Sequence, residues 1–270
     1  MKNFVKITLV LIVVMIVTSI SIDAFDTAHG SRLTLLAQLG ALYRGSSCPS
    51  DMVLVTTAVV PFCIDRYEVS PQQDCPVQQP ASAFDTQRNL DVGSCHTVAA
   101  SDRIPWQYVS YKQAETLCAR SGKRLPEPRE WYNAALGTPV DTASCSLSGD
   151  IAKTGSKSSC RSGVEAYDML GNVWEYVSGI GVNGTFGAYT VPKEGYVLLA
   201  DDSGLPLLTG EVATSTYDDD YAWTKTSDAT VIARGGFYGA RNDGGLYSIQ
   251  AGVSPSFSSA AIGFRCARSL

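Results

Sequence analysis

Eight cysteines, at positions 48, 63, 75, 95, 118, 145, 160 and 266, constrain this chain more than any other feature of it. The number is even and no two are separated by only two residues, so zinc-type and thioredoxin-type spacings are missing and a disulfide framework fits better than a metal. Only two histidines accompany them, His29 and His96, too few to assemble a histidine-ligated catalytic metal. Position in the chain suggests local bridges Cys48 to Cys63, Cys75 to Cys95 and Cys145 to Cys160, leaving Cys118 for Cys266, although spacing does not fix connectivity.

Such bridges call for an oxidising compartment, and the amino terminus agrees. Lys2 and Lys6 precede an apolar run from Ile7 to Ile22, so residues 1–25 read as a signal peptide or as a membrane anchor, with neither reading ahead. Basic residues before the run leave the remainder outside the cytoplasm, so the expectation is an exported protein, at the cell surface or held to a membrane by this segment. Leu33, Leu36, Leu39 and Leu42 then recur at helical spacing between Ser31 and Gly45, which makes residues 26–47 a helical stalk or linker. The domain proper is expected over residues 48–270. With 45% hydrophobic residues it can bury a real core, while a net charge of -5 and no Lys/Arg cluster leave no basic face for nucleic acid.

Within that domain the pattern predicts an α+β chain rich in loops. Met52 to Val60 is a β-rich run, Pro61 breaks it, and Phe62 to Val69 alternates as a second strand. The Gln-, Pro- and Asp-rich stretch 71–103 reads as a loop pinned by Cys75 and Cys95. Ser110 caps a helix through Ser121 that Gly122 stops, and Pro128 opens a second helix carrying Trp131, Ala134 and Ala135. A hairpin is expected around Gly195 to Gly210, and no repeat of fixed period is present.

Two stretches carry candidate chemistry. In Tyr167 to Tyr176, Asn172 and Glu175 offer hard oxygens three positions apart beside the Val173 carbonyl, a set suited to structural Ca²⁺; the same residues equally describe a buried turn with Trp174 in the core. The acidic pair at 201–202 and the acidic run at 218–220 lack ligand spacing and read as solvated loops. Asn183-Gly-Thr185 fits a glycosylation acceptor, a triplet common by chance. From Arg234 to Arg268, glycines and an alternating terminal strand bracket a middle with no helical period and no titratable cluster, in which Phe237, Tyr238, Tyr247 and Phe257 sit among Gly, Ser and Asn. Rigid amphipathic rings among small adaptable residues are the composition of a binding surface, and also that of a glycine-rich surface loop.

In order along the chain, Phe62-Cys-Ile-Asp-Arg-Tyr-Glu-Val69, Val109-Ser-Tyr with Ala114 and Cys118, Gly122-Lys-Arg-Leu-Pro126 with Glu130-Trp131, Gly171-Asn-Val-Trp-Glu175, Arg234-Gly-Gly236 and Gly263-Phe-Arg-Cys-Ala267 resemble the formylglycine-generating enzyme (sulfatase-modifying factor) family over roughly 48–268. The resemblance implies a C-type-lectin-like fold with short twisted antiparallel sheets and two short helices, preceded here by an amino-terminal hydrophobic helix. It also implies a closing bridge between Cys118 and Cys266, and Ca²⁺ at Asn172, Val173 and Glu175. The family's oxidation chemistry uses a copper-binding cysteine pair between the Arg-Gly-Gly and Gly-Phe-Arg-Cys elements, and residues 237–265 contain no cysteine, so neither copper nor that activity is expected.

The same segment is similar to the carboxy-terminal cassette of variable proteins of diversity-generating retroelements, in which template adenines are rewritten so that one scaffold carries many binding surfaces. Arg234-Gly-Gly236, Gly245, Pro255-Ser256 and Ile262 to Arg268 match its frame, while Tyr238 stands for a commoner Trp and Arg241 for a commoner Gly. The implied ligand-binding residues are Phe237, Tyr238, Gly239, Ala240, Arg241 and Asn242, followed by Tyr247, Gln250, Gly252, Val253, Phe257, Ser259 and Ala260. The implied function is non-catalytic binding of a protein or glycan on another surface. An enzyme of the same family with non-standard chemistry, or a structural surface or pilus component, is the alternative.

Overall fold

The computed structural model describes residues 48–270; the expected signal or anchor (1–25) and stalk (26–47) lie outside them. The two ends of the domain meet in one small sheet. Strands β1 (Met52–Val55) and β2 (Phe62–Asp65) pair antiparallel, and β14 (Ala267–Ser269) adds to the other side of β2, with Ala267 opposite Ile64. Both early strands are shorter than the alternation predicts. The second stops because the Asp65 carboxylate turns inward, accepting from the Cys266 backbone N–H at 2.8 Å and from Lys123 Nζ at 2.6 Å. Strand β3 (Ser70–Pro71) then pairs with β4 (Thr97–Val98).

The stretch expected to be loop from 71 to 103 contains a helix, α1 (Ala83–Leu90). Its buried face is largely polar, Thr86 and Asn89 beside Leu90, so it lacks the apolar period that would have announced it. Those polar groups are satisfied: Trp106 Nε1 donates to Thr86 Oγ1 at 3.0 Å, and the Asn89 amide bonds both backbone groups of Val77. Helix α2 (Tyr111–Arg120) begins at Ser110, whose hydroxyl and the Gln113 side chain form a reciprocal capping box, and Gly122 follows it at φ +66. Helix α3 (Pro128–Ala135) starts on Pro128 and buries Trp131, Ala134 and Ala135.

The main sheet has seven strands, β5 (Trp174–Gly181), β8 (Gly195–Ala200), β9 (Pro206–Gly210), β10 (Tyr221–Thr224), β11 (Thr230–Arg234), β12 (Ile249–Val253) and β13 (Ile262–Gly263). Their order is β13-β5-β11-β12-β10-β8-β9, and β10 with β12 and β13 with β5 run parallel. A separate hairpin joins β6 (Thr185–Phe186) to β7 (Tyr189–Thr190). Every residue of β11 is buried, because a core cluster lies against each face. One cluster gathers Trp131, Leu147, Met169, Leu170, Val177, Ile232 and Ile249; the other gathers Trp106, Val109, Leu117, Trp174, Tyr176, Ala233 and Phe264. Disulfides join Cys48 to Cys63, Cys75 to Cys95, Cys118 to Cys266 and Cys145 to Cys160, so no cysteine remains free. The Cys118–Cys266 bridge ties α2 to the approach to β14 across 148 residues.

Candidate functional site: an exposed face held by a buried frame

Residues 234–268 divide into a fixed frame and an open part. Arg234 ends β11 fully buried, its guanidinium over the Trp131 ring at 5.0 Å and donating to the carbonyls of Ser203 at 3.0 Å, Gly204 at 2.9 Å and Leu246 at 2.7 Å. It thereby locks the β8–β9 turn to the segment before β12. Burial pulls its pKa down to about 10, still well above neutrality, so the cation persists. Gly235 and Gly236 follow at φ +91 and +82, and a Cβ on Gly235 would meet the Met169 carbonyl at 2.5 Å. No larger residue fits there. Gly245 is pressed against the buried Asp220 carboxylate, which accepts from the Tyr247 N–H at 2.6 Å and is pushed well above the usual carboxylate range by burial.

The Gly171–Glu175 element clips this frame in place. Gly171 N–H donates to the Gly235 carbonyl at 2.9 Å, and the Asn172 carbonyl accepts from Tyr238 N–H at 3.0 Å. Its side chains are engaged elsewhere. Glu175 accepts from Arg265 Nε at 2.7 Å, from the Arg265 terminal nitrogen at 2.6 Å and from Trp131 Nε1 at 2.7 Å. Asn172 donates to Glu68 at 2.6 Å while its amide oxygen accepts from Ala152 N–H at 2.9 Å. Asn172, Val173 and Glu175 as arranged do not fit the expected calcium cage: the Glu175 oxygens already take three donors, the Asn172 oxygen a fourth, and the positive charge among Glu68, Asp168 and Glu175 is the Arg265 guanidinium. Among the described residues no group of three or more His, Cys, Asp or Glu side chains is placed to hold a metal. Burial first, then Asp168 and Glu175, drives the Glu68 carboxyl well above its usual range. Glu68 was hidden from sequence reasoning because it sits inside a run that reads as strand, and Asp168 because the donor it meets, the Gly155 N–H, is supplied by a separate loop.

Most residues implied as ligand-binding are accessible. Gly239, Arg241, Asn242 and Phe257 are exposed, and Phe237, Tyr238, Gln250, Gly252, Val253, Ser259 and Ala260 are half-buried. Phe237 stacks on Trp174 at 6.5 Å and meets Tyr238 edge-on at 5.4 Å. Arg241 holds φ +55, the left-handed region, at the position where Gly is commoner in the cassettes it resembles. The 257–260 loop is tied down by Tyr176 Oη, which donates to the Phe257 carbonyl at 2.8 Å, and by Tyr108 N–H, which donates to the Ser259 carbonyl at 2.9 Å. One residue departs from the expectation. Ala240 is buried, since it closes the turn with its methyl toward Gly236 and Gly244 and packs in the first core cluster. Tyr247, half-buried like Phe237, stacks among Tyr132 at 6.0 Å and Tyr217 at 5.0 Å, apart from the Phe237–Tyr238 pair, while Phe237 packs against both core clusters and Val253 against the second.

Residues 31–158 match the family model of the sulfatase-modifying factor enzyme 1-like domain. The match covers just under half of the chain. The match takes in the Phe62–Val69, Val109–Cys118 and Gly122–Trp131 elements and ends before the main sheet. No curated protein sequence matches the chain. Among solved structures, the chain is similar to the Major Tropism Determinant P3c variant (18% identity, TM-score 0.48), covering 83% of this chain and 54% of that one. It thus spans about half the length of the Major Tropism Determinant chains. It is also similar to PvdO from Pseudomonas aeruginosa (19% identity, 78% of this chain and 81% of that one, TM-score 0.42) and to Treponema denticola variable protein 1 (15%, 83% and 100%, TM-score 0.39). Of the sequence-predicted residues Ala240 is buried, and the other twelve are exposed or half-buried. The strand β10 aromatics Tyr221 and Trp223 were given no part in this surface by sequence reasoning.

Proposed function

We propose that this is an exported, surface-displayed, non-catalytic ligand-binding protein whose residues 234–268 form a diversified recognition cassette. One observation carries the reading: the frame residues Arg234, Gly235, Gly236, Ile262 and Arg265 are buried, while twelve of the thirteen implied ligand-binding residues between them, all but Ala240, are exposed or half-buried. Exchanges at open positions change what is bound and cost little stability. Exchanges in the frame would unfold the support. Four disulfides among the described residues support an oxidising, extracytoplasmic setting. Residues 237–265 contain no cysteine, so the copper-binding pair of the family it resembles has no counterpart in that segment.

The test is genetic. Sequencing the neighbouring DNA, and this gene in sibling isolates, should reveal a reverse transcriptase gene, a near-copy of the segment encoding 234–268, and variation concentrated at Phe237, Tyr238, Gln250, Val253 and Phe257. Uniform cassettes in all isolates, with neither gene nor copy nearby, would remove the diversification.

A further inference from the structure

The open face does not stop at the cassette. Strand register sets Gln250 beside Trp223, and Tyr221 opposite Tyr196, so these side chains leave the sheet on one side, the side on which Ala233 and Tyr176 carry the second core cluster. That cluster covers β5 and β11. Trp223 is half-buried at its margin, whereas Tyr221 and Tyr196, on β10 and β8, belong to neither core cluster. The rings nonetheless touch in sequence: Phe237 with Trp174 at 6.5 Å, Trp174 with Trp223 at 5.4 Å, Trp223 with Tyr221 at 4.9 Å, and Tyr221 with Tyr196 at 5.0 Å. Leu198, two residues beyond Tyr196 and 38% exposed, prolongs the row.

We propose that Trp223, Tyr221 and Tyr196 are the constant half of the recognition face, and that the partner it takes is a protein surface. This rests on the binding role proposed above and adds to it a fixed site outside residues 234–268 and a class of ligand. Shape argues for protein. Tyr196 meets Tyr221 at 89° and Trp174 meets Trp223 at 82°, so each ring braces its neighbour edge to face. A cavity of about 290 Å³ is lined by Thr190, Lys193, Glu194, Thr224 and Lys225 with no aromatic side chain; Tyr221 Oη donates to Glu194 at 3.3 Å, so the rings border this cavity without lining it and none is placed to stack on a small ligand inside it. A row of braced aromatics with Gln250, Glu194 and Lys225 at its border has the make-up of a protein-binding patch, apolar anchors within a polar rim. Because the strand-borne rings are held by the sheet, they contribute the same affinity to every cassette, and the cassette selects among partners.

The experiment selects phage-displayed random dodecapeptides on the full chain and measures the affinity of several unrelated clones for variants. Tyr196→Ser with Tyr221→Ser should weaken every clone tenfold or more, while Tyr238→Ser with Gln250→Ser should weaken some clones and spare others. Tyr196→Ser alone, together with a melting curve for each variant, guards against misfolding, and Phe84→Ser on α1 serves as a remote surface control. Clones that respond to the cassette changes but not to the tyrosine changes would overturn the constant half and leave the cassette reading intact. Selection of no peptide, with retention on an immobilised glycan panel that the tyrosine changes abolish, would overturn the protein as partner. Retention of neither would overturn both.

Discussion

Replacing four open cassette side chains at once, Arg241→Ser, Asn242→Ser, Gln250→Ser and Phe257→Ser, should leave a folded domain, whereas Ala240→Tyr alone should not be tolerated. Phe257 is already 40% exposed, so its truncation forfeits a little over half of the ~1.5–3 kcal/mol that full burial of such a side chain contributes, or about 1–2 kcal/mol. The three polar exchanges each lie within about 0.5 kcal/mol. Together, at about 1–3.5 kcal/mol, they lower the melting temperature by roughly 2–14 °C, at about 2–4 °C per kcal/mol for a domain of this size. Ala240, in contrast, is 5% exposed with its methyl between Gly236 and Gly244. A tyrosine ring has no space there, and overpacking of this kind costs about 3 kcal/mol or more. Differential scanning fluorimetry and urea unfolding of the two variants provide the comparison. If the fourfold variant unfolds, or Ala240→Tyr melts with wild type, the division into open face and buried frame is wrong.

Arg241→Gly relieves a left-handed side-chain-bearing residue and should raise stability by about 0.5–1 kcal/mol while weakening binding; a fall in melting temperature would mean that the arginine is structurally required. Converting both Cys118 and Cys266 to Ser opens a 148-residue loop and should cost about 5 kcal/mol on the chain-entropy scale, visible as a large drop in the urea midpoint. Calcium or a chelator should leave the wild-type melting temperature unchanged, because Glu175 is saturated by Arg265 and Trp131; a calcium-dependent rise of several degrees would show that this network rearranges around the ion. Burial, opposed by the Gly155 hydrogen bond, lifts the Asp168 carboxyl from 3.8 to about 6. The folded chain thus keeps a proton that the unfolded chain has released, its stabilising effect is fully present below 3.8, and it is lost as pH rises through about 6. Asp168→Asn should flatten the stability profile across that window, and profiles that stay parallel would refute the assignment.

Local signals in the chain were strong where a single residue type dictates backbone behaviour. Ser110, Gly122 and Pro128 mark helix ends that the structure bears out, and the turn between Gly195 and Gly210 is there because β8 and β9 pair with Tyr196 opposite Gly210. Helix α1 escaped notice since its buried face uses Thr86 and Asn89, whose partners at Trp106 and Val77 are supplied by distant loops. Strand lengths were overestimated for a related reason: alternation continues past Asp65, but pairing ends where its carboxylate is claimed by Lys123 and Cys266.

By itself the chain's order of residues determined the class of fold, the capped helices and the contrast between a glycine-and-arginine frame and an aromatic, adaptable middle, since each depends on backbone preference or side-chain type within a few positions. Which way those side chains face was decided by tertiary structure alone. Ala240 turns inward because two glycines converge on it, Glu175 meets Arg265 across 90 positions of chain, and Tyr196 and Tyr221 join the cassette's rings because sheet register, a property of paired strands, places them there.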